Sequence, residues 1–108
     1  MRFAYSQLGK PYRWGAAGPN SFDCSGLTMA SWKAAGVGLP HSAALQWAQV
    51  THVSRAELKP GDLVFYYGNI HHVAIYIGDG RVIHAPTYGE DVTIAPIDDA
   101  PIHGYGRP

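Results

Sequence analysis

The texture of the chain changes once, at Lys59-Pro60-Gly61, and no other feature limits its possible folds as much. Before that point lie short stretches of helix formers and small residues. After it come β-branched and aromatic runs separated by turn residues. Helices first and strands afterwards specify an α+β domain, in which N-terminal helices pack on one face of a small, curved, antiparallel sheet. The expected helices cover residues 3–8, stopped by Gly9; 24–35, capped by Asp23 and stopped by Gly36; and 43–48, capped by Ser42. Ser54-Arg55-Ala56-Glu57 matches a capping box for one further short turn. The expected strands are 62–67, 71–77, 81–84, 92–94 and 102–105, arranged as a meander. The chain has 108 residues and neither repeats nor low-complexity stretches, so residues 1–108 should form a single domain around one core.

Eight Lys+Arg residues balance eight Asp+Glu, so no broad field draws the chain to nucleic acid or to an anionic membrane. No apolar run approaches the roughly 18–20 residues of a membrane span, and residues 1–5 lack the apolar core of a signal peptide. An export signal, if there is one, is expected outside this sequence. The single cysteine excludes an intrachain disulfide and the CxxC pairs of most structural zinc sites. Composition alone makes Cys24 a buried, inert thiol, but its neighbourhood argues otherwise. In the first turn of a helix, unpaired N–H groups and the dipole favour a thiolate, and the same N–H groups can receive an oxyanion. Gly26 costs helix stability there, which close approach by a ligand or another backbone would explain.

A thiol nucleophile needs a base within hydrogen-bond reach and a third group to orient that base. Of the six histidines, His41, His52 and His103 read as surface or capping residues, with His52 in a loop. His71, His72 and His84 all fall in the hairpin 71–85, and its turn decides which of them share a face. A two-residue Asp79-Gly80 loop sets His84 opposite Ile75, with His71 on its face. A Gly78-Asp79-Gly80 loop with a bulge sets His84 opposite Ala74, with His72 on its face. The second register is preferred because the small Ala74 would let a helix approach the sheet. His71 then joins the opposite face or caps the strand from solvent. Trp14, Trp32 and Trp47 read as packing residues.

Six ordered blocks make the chain similar to a known family: Tyr12-Arg13-Trp14-Gly15, Phe22-Asp23-Cys24-Ser25-Gly26-Leu27, Leu39-Pro40-His41-Ser42, Pro60-Gly61-Asp62-Leu63-Val64-Phe65, His72-Val73-Ala74-Ile75-Tyr76-Ile77-Gly78 and Ile83-His84-Ala85-Pro86. They resemble the NlpC family of papain-like bacterial cell-wall cysteine peptidases, over residues 4–94. The resemblance implies that Cys24 is the nucleophile, His72 the general base and His84 the group that orients it, and it favours the register that pairs His72 with His84. It also implies hydrolysis of the γ-D-glutamyl–meso-diaminopimelate bond of peptidoglycan stem peptides by an extracytoplasmic, monomeric domain excised from a longer exported protein. A regulatory domain or propeptide would then lie outside this sequence. Tyr12 matches a tyrosine at the active-site rim, and Asp23 and Ser25 match positions lining the substrate groove. The implied cycle has a Cys24 thiolate paired with protonated His72, the oxyanion held by the Cys24 N–H and Tyr12, and no metal or organic cofactor. Two departures from the pattern, Ala74 and Ala16 where glycines are common, lie outside the proposed triad. Three rivals remain: a metal site built on Cys24, His72 and His84, a non-catalytic wall-binding module, and a thiol amidase or acyltransferase.

Overall fold

The computed structural model describes residues 2–108. Helix α1 (Arg2–Ser6) is followed by an irregular segment, α2 (Cys24–Ala34), α3 (Ala43–Gln49), strand β1 (Thr51–Val53) and a 3-10 turn at Arg55–Glu57. Then come β2 (Leu63–Tyr66), β3 (His72–Gly78), β4 (Arg81–His84), β5 (Thr93–Pro96) and β6 (Ile102–Arg107). The six strands form one antiparallel sheet in the order β1-β6-β2-β3-β4-β5. The expected α+β class is therefore what the chain adopts. Only β2 to β5 follow the expected meander, because β6 returns to pair with β2 and carries β1 on its outer side. β1 was not expected. It takes in His52, which the sequence places in a loop. Among the described residues no helix is long and apolar enough to cross a membrane.

Helices α2 and α3 are closed where local chemistry predicts, whereas α1 ends at Ser6, short of the expected stop at Gly9. The Asp23 carboxylate accepts the Gly26 N–H at 2.7 Å and caps α2. At its other end, the N–H groups of Gly36 and Val37 return to the carbonyls of Lys33 and Trp32, closing the last turn. Ser42 caps α3 through the Leu45 N–H. Glu57 accepts from both the N–H and the hydroxyl of Ser54, and the first of these bonds is the Glu half of a capping box.

Alternation along the strands sorts the sheet into two apolar layers. Leu63, Phe65, Val73, Ile75 and Ile83 face the helices and pack with Ala4, Phe22, Leu27 and Ala43. Val64, Tyr66, Ala74 and Val82 face the other way, joined by Ala95 beside Val82 on β5 and covered by Ile97 from the segment that follows it. The Tyr66 hydroxyl donates to the Ile97 carbonyl at 2.7 Å and ties that cover down. The block Pro60-Gly61-Asp62 is structural: nearly fully buried Asp62 accepts two hydrogen bonds from Arg107, joining the start of β2 to the end of β6.

The hairpin takes the bulged register. Ile75 pairs with Ile83 and Tyr76 with Val82, which sets His84 across from Ala74, and the register shifts between Tyr76 and Gly78. Asp79 and Gly80 both have positive φ, 55° and 69°, and form the tight turn, so the extra residue sits in β3 and not in the loop. Ala74 does not have the part in this register that the sequence suggests. Ala74 lies on the face away from the helices, and it is the Val73 and Ile75 face that receives α2.

Candidate active site

α2 packs against β3, bringing the half-buried Cys24 thiol to the start of that strand. Cys24 Sγ lies 3.8 Å from the His71 carbonyl oxygen. Burial pushes the thiol above its ordinary value, with the Asp23 charge adding to the rise. The backbone N–H groups of Val73, Ser25 and Cys24 itself act in the opposite direction. His72 Nε2 stands 2.9 Å from His84 Nδ1, and both imidazoles are buried. Burial, then the neighbouring His84 and His71, pushes His72 down to about 4. Burial also lowers His84, against the opposing pull of Asp99 and Glu90. Both shifts favour the uncharged forms, a thiol and a neutral imidazole, and so act against the thiolate and imidazolium that the family resemblance implies. The physical reason is that desolvation penalises both charged forms.

Two cavities flank Cys24, of about 460 and 410 Å³. His72 and His84 line the smaller one with Pro86, Glu90 and Asp99, while Asp23, Ser25, Trp14 and His41 line the larger. Tyr12, Cys24 and His71 line both. All six residues singled out from the sequence therefore gather around one groove. Tyr12 keeps its hydroxyl proton more firmly than usual, chiefly through burial and then the nearby Cys24 and Asp23. Ser25 is buried, with its hydroxyl 3.5 Å from Asp23 Oδ1. Among the described residues, no three His, Cys, Asp or Glu side chains are gathered as a metal-ion site.

Asp23 does more than cap. Its Oδ2 accepts the Gly15 N–H at 2.8 Å and its Oδ1 accepts from His41 Nε2 at 2.8 Å. One carboxylate therefore joins the start of α2, the loop after Tyr12 and the entry to α3. Gly26 is explained by the same packing, since a Cβ there would lie 2.0 Å from the Ala16 carbonyl oxygen. The close neighbour is backbone and not a ligand.

Several residues escaped the sequence reading. His41 is exposed and bonds the Asp23 cap, in keeping with a surface or capping residue, but its place on the groove wall is not legible in the sequence. The sequence suggests that Trp14 packs beside the active-site loop; it does lie beside the groove, but 85% exposed and not packed. Fully buried Gln46 accepts the Thr28 hydroxyl and donates to the Ser25 and Pro40 carbonyls, fixing α3 against the first turn of α2. A glutamine in the middle of the short run 43–48 was the available signal. His52 and His103 are as remote as expected, stacked and edge-on against Trp47.

Comparison with known proteins agrees with this geometry. Residues 9–104 match the NlpC/P60 family. A probable endopeptidase of Mycobacterium tuberculosis is 44% identical over 108 residues, covering 99% of this chain and 28% of that protein. A probable endopeptidase p60 of Listeria monocytogenes is 48% identical over 88 residues, covering 80% of this chain and 18% of that one. The chain thus spans less than a third of either relative. The solved NlpC/p60 domain of the peptidoglycan hydrolase SagA superimposes with a TM-score of 0.90 at 33% identity, over 99% of this chain and 94% of that one. NlpC2 of Trichomonas vaginalis gives 0.91 at 26% identity, over 98% of this chain and 43% of that one. Sequence blocks, sheet order and groove lead to one conclusion, that this chain belongs to the NlpC/P60 family.

Proposed function

We propose that this domain is a cysteine peptidase that hydrolyses the γ-D-glutamyl–meso-diaminopimelate bond of peptidoglycan stem peptides. The observation that carries the reading is the His72 Nε2 to His84 Nδ1 contact beside the groove that exposes Cys24. When His72 donates from Nε2 to His84, its Nδ1 keeps the lone pair that a general base needs. His72 Nδ1 takes the thiol proton as Cys24 Sγ attacks the γ-glutamyl carbonyl carbon. The carbonyl π electrons move to oxygen, and the oxyanion is stabilised by the Cys24 N–H and the firmly protonated Tyr12 hydroxyl. Protonated His72 then gives its proton to the diaminopimelate nitrogen, the C–N bond breaks, and a thioester remains. Water, deprotonated by His72, hydrolyses the thioester and restores the thiol. Asp23 and Ser25 shape the groove beside the nucleophile, Asp23 through its three partners. The reaction needs no cofactor, and a peptidoglycan substrate means action in the cell envelope.

Purified protein is expected to release fragments with diaminopimelate at a new amino end from muropeptides, read by mass spectrometry. Cys24→Ala should abolish release while leaving the circular dichroism spectrum unchanged. Undiminished turnover by that variant would refute the mechanism, and products cut at another amide would assign the chemistry to an amidase.

A further inference from the structure

The loop joining β2 to β3, residues 67–71, holds two non-glycine residues at positive φ, Tyr67 at 69° and Ile70 at 54°. For an aromatic and a β-branched residue that conformation is unfavourable, and it persists only where the surroundings enforce it. Its result is a fixed imidazole. The His71 ring stacks on Tyr67 with centroids 4.1 Å apart and planes 5° from parallel, and His71 Nδ1 is hydrogen-bonded to Asn69 Oδ1. Because a carbonyl oxygen can only accept, the neutral ring carries its proton on Nδ1 and leaves Nε2 with its lone pair. Among the described residues nothing bonds to Nε2, and the side chain is exposed. His71 also lines both cavities beside Cys24, and its own carbonyl oxygen is the atom that meets the thiol. Any extended peptide laid across Cys24 from one cavity to the other must pass this ring.

We propose that His71 is a substrate-binding residue whose Nε2 accepts a hydrogen bond from a peptide N–H of the strand crossing Cys24. Tyr67 and Asn69 are its positioning residues, one by stacking and one by fixing the tautomer. The assignment rests on the peptidase reading above. It gives His71 a part separate from His72: His72 moves protons, and His71 holds the chain in line for attack. A strand-capping role, as the sequence suggested, would leave substrate affinity untouched.

The test is steady-state cleavage of a purified muropeptide by the wild type, His71→Ala, His71→Gln and Asn69→Ala, with iodoacetamide alkylation of Cys24 followed in parallel. His71→Ala should raise KM about 5- to 10-fold with kcat within about twofold, as expected when one hydrogen bond made equally in ground and transition states is lost. His71→Gln retains an acceptor and should recover part of the loss. Asn69→Ala frees the ring without removing it and should raise KM by a smaller factor. Alkylation rates should stay within about twofold of the wild type, because the nucleophile and its base are untouched. Unchanged KM in all three variants overturns the inference, as does a fall in kcat matched by slower alkylation, which would show His71 acting through His72. A wild type that leaves muropeptides intact fails at the earlier step and overturns the peptidase reading and this inference together.

Discussion

At Cys24 the helix dipole and the surrounding protein oppose one another, and burial is the larger influence. The consequence is measurable. Alkylation of Cys24 by iodoacetamide should quicken steadily from about pH 6 to pH 10, since the thiolate fraction keeps growing below a raised thiol value. A rate that is already flat near neutrality would instead reveal a preformed thiolate–imidazolium pair. The residue types of the site could be read from the blocks around Cys24, His72 and His84, because each carries its own local signature. His41 and Trp14 could not, because what distinguishes them is a partner or an exposure set by other parts of the chain.

The elements add the reason that Cys24 begins a helix at this depth. Gly26 admits the Ala16 carbonyl against the first turn of α2, and that contact allows Asp23 to collect the Gly15, Gly26 and His41 donors. Gly26→Ala would place a methyl group 2.0 Å from backbone oxygen, where no flexible side chain can yield. The expected loss is at least ~2 kcal/mol, the upper part of the range for overpacked sites. Urea unfolding monitored by circular dichroism checks it, and an unchanged midpoint would mean that the 13–16 segment moves freely. The β3–β4 hairpin shows the opposite relation between sequence and outcome. Turn residues narrowed it to two registers, and the bulge between Tyr76 and Gly78 selected the one that brings His72 to His84. Ala74, whose small side chain suggests a helix contact, packs instead in the layer on the other face.

Across the whole molecule, the two buried imidazoles tie stability to pH. Above the ordinary histidine value of 6.5, His72 is neutral folded or unfolded and adds nothing to the balance. Below it, the unfolded chain takes up a proton that the folded site refuses until about pH 4. Stability therefore falls as pH drops through that window, by roughly 3 kcal/mol from His72, and His84 acts in the same direction. Thermal melts should show a smaller drop between neutral and acid pH in His72→Gln than in the wild type. An equal drop in both would mean that water reaches the imidazole and screens it. The two apolar layers of the sheet account for the depth of this burial, since His72 and His84 sit at the margin of the Val64, Tyr66, Ala74 and Val82 layer.

By itself the sequence determined the fold class, the helix caps and most strands, and it singled out Cys24, His72 and His84 as the candidate site, because caps, turns and alternation are local chemistry carried by neighbouring residues. Only the tertiary structure decided that β6 returns to β2 and recruits β1, that Gln46 and His41 brace the first turn of α2, and that His71 stands between two cavities. Each of these depends on contacts between distant segments, and on how much water they exclude, and neither quantity is written in any short stretch of the chain.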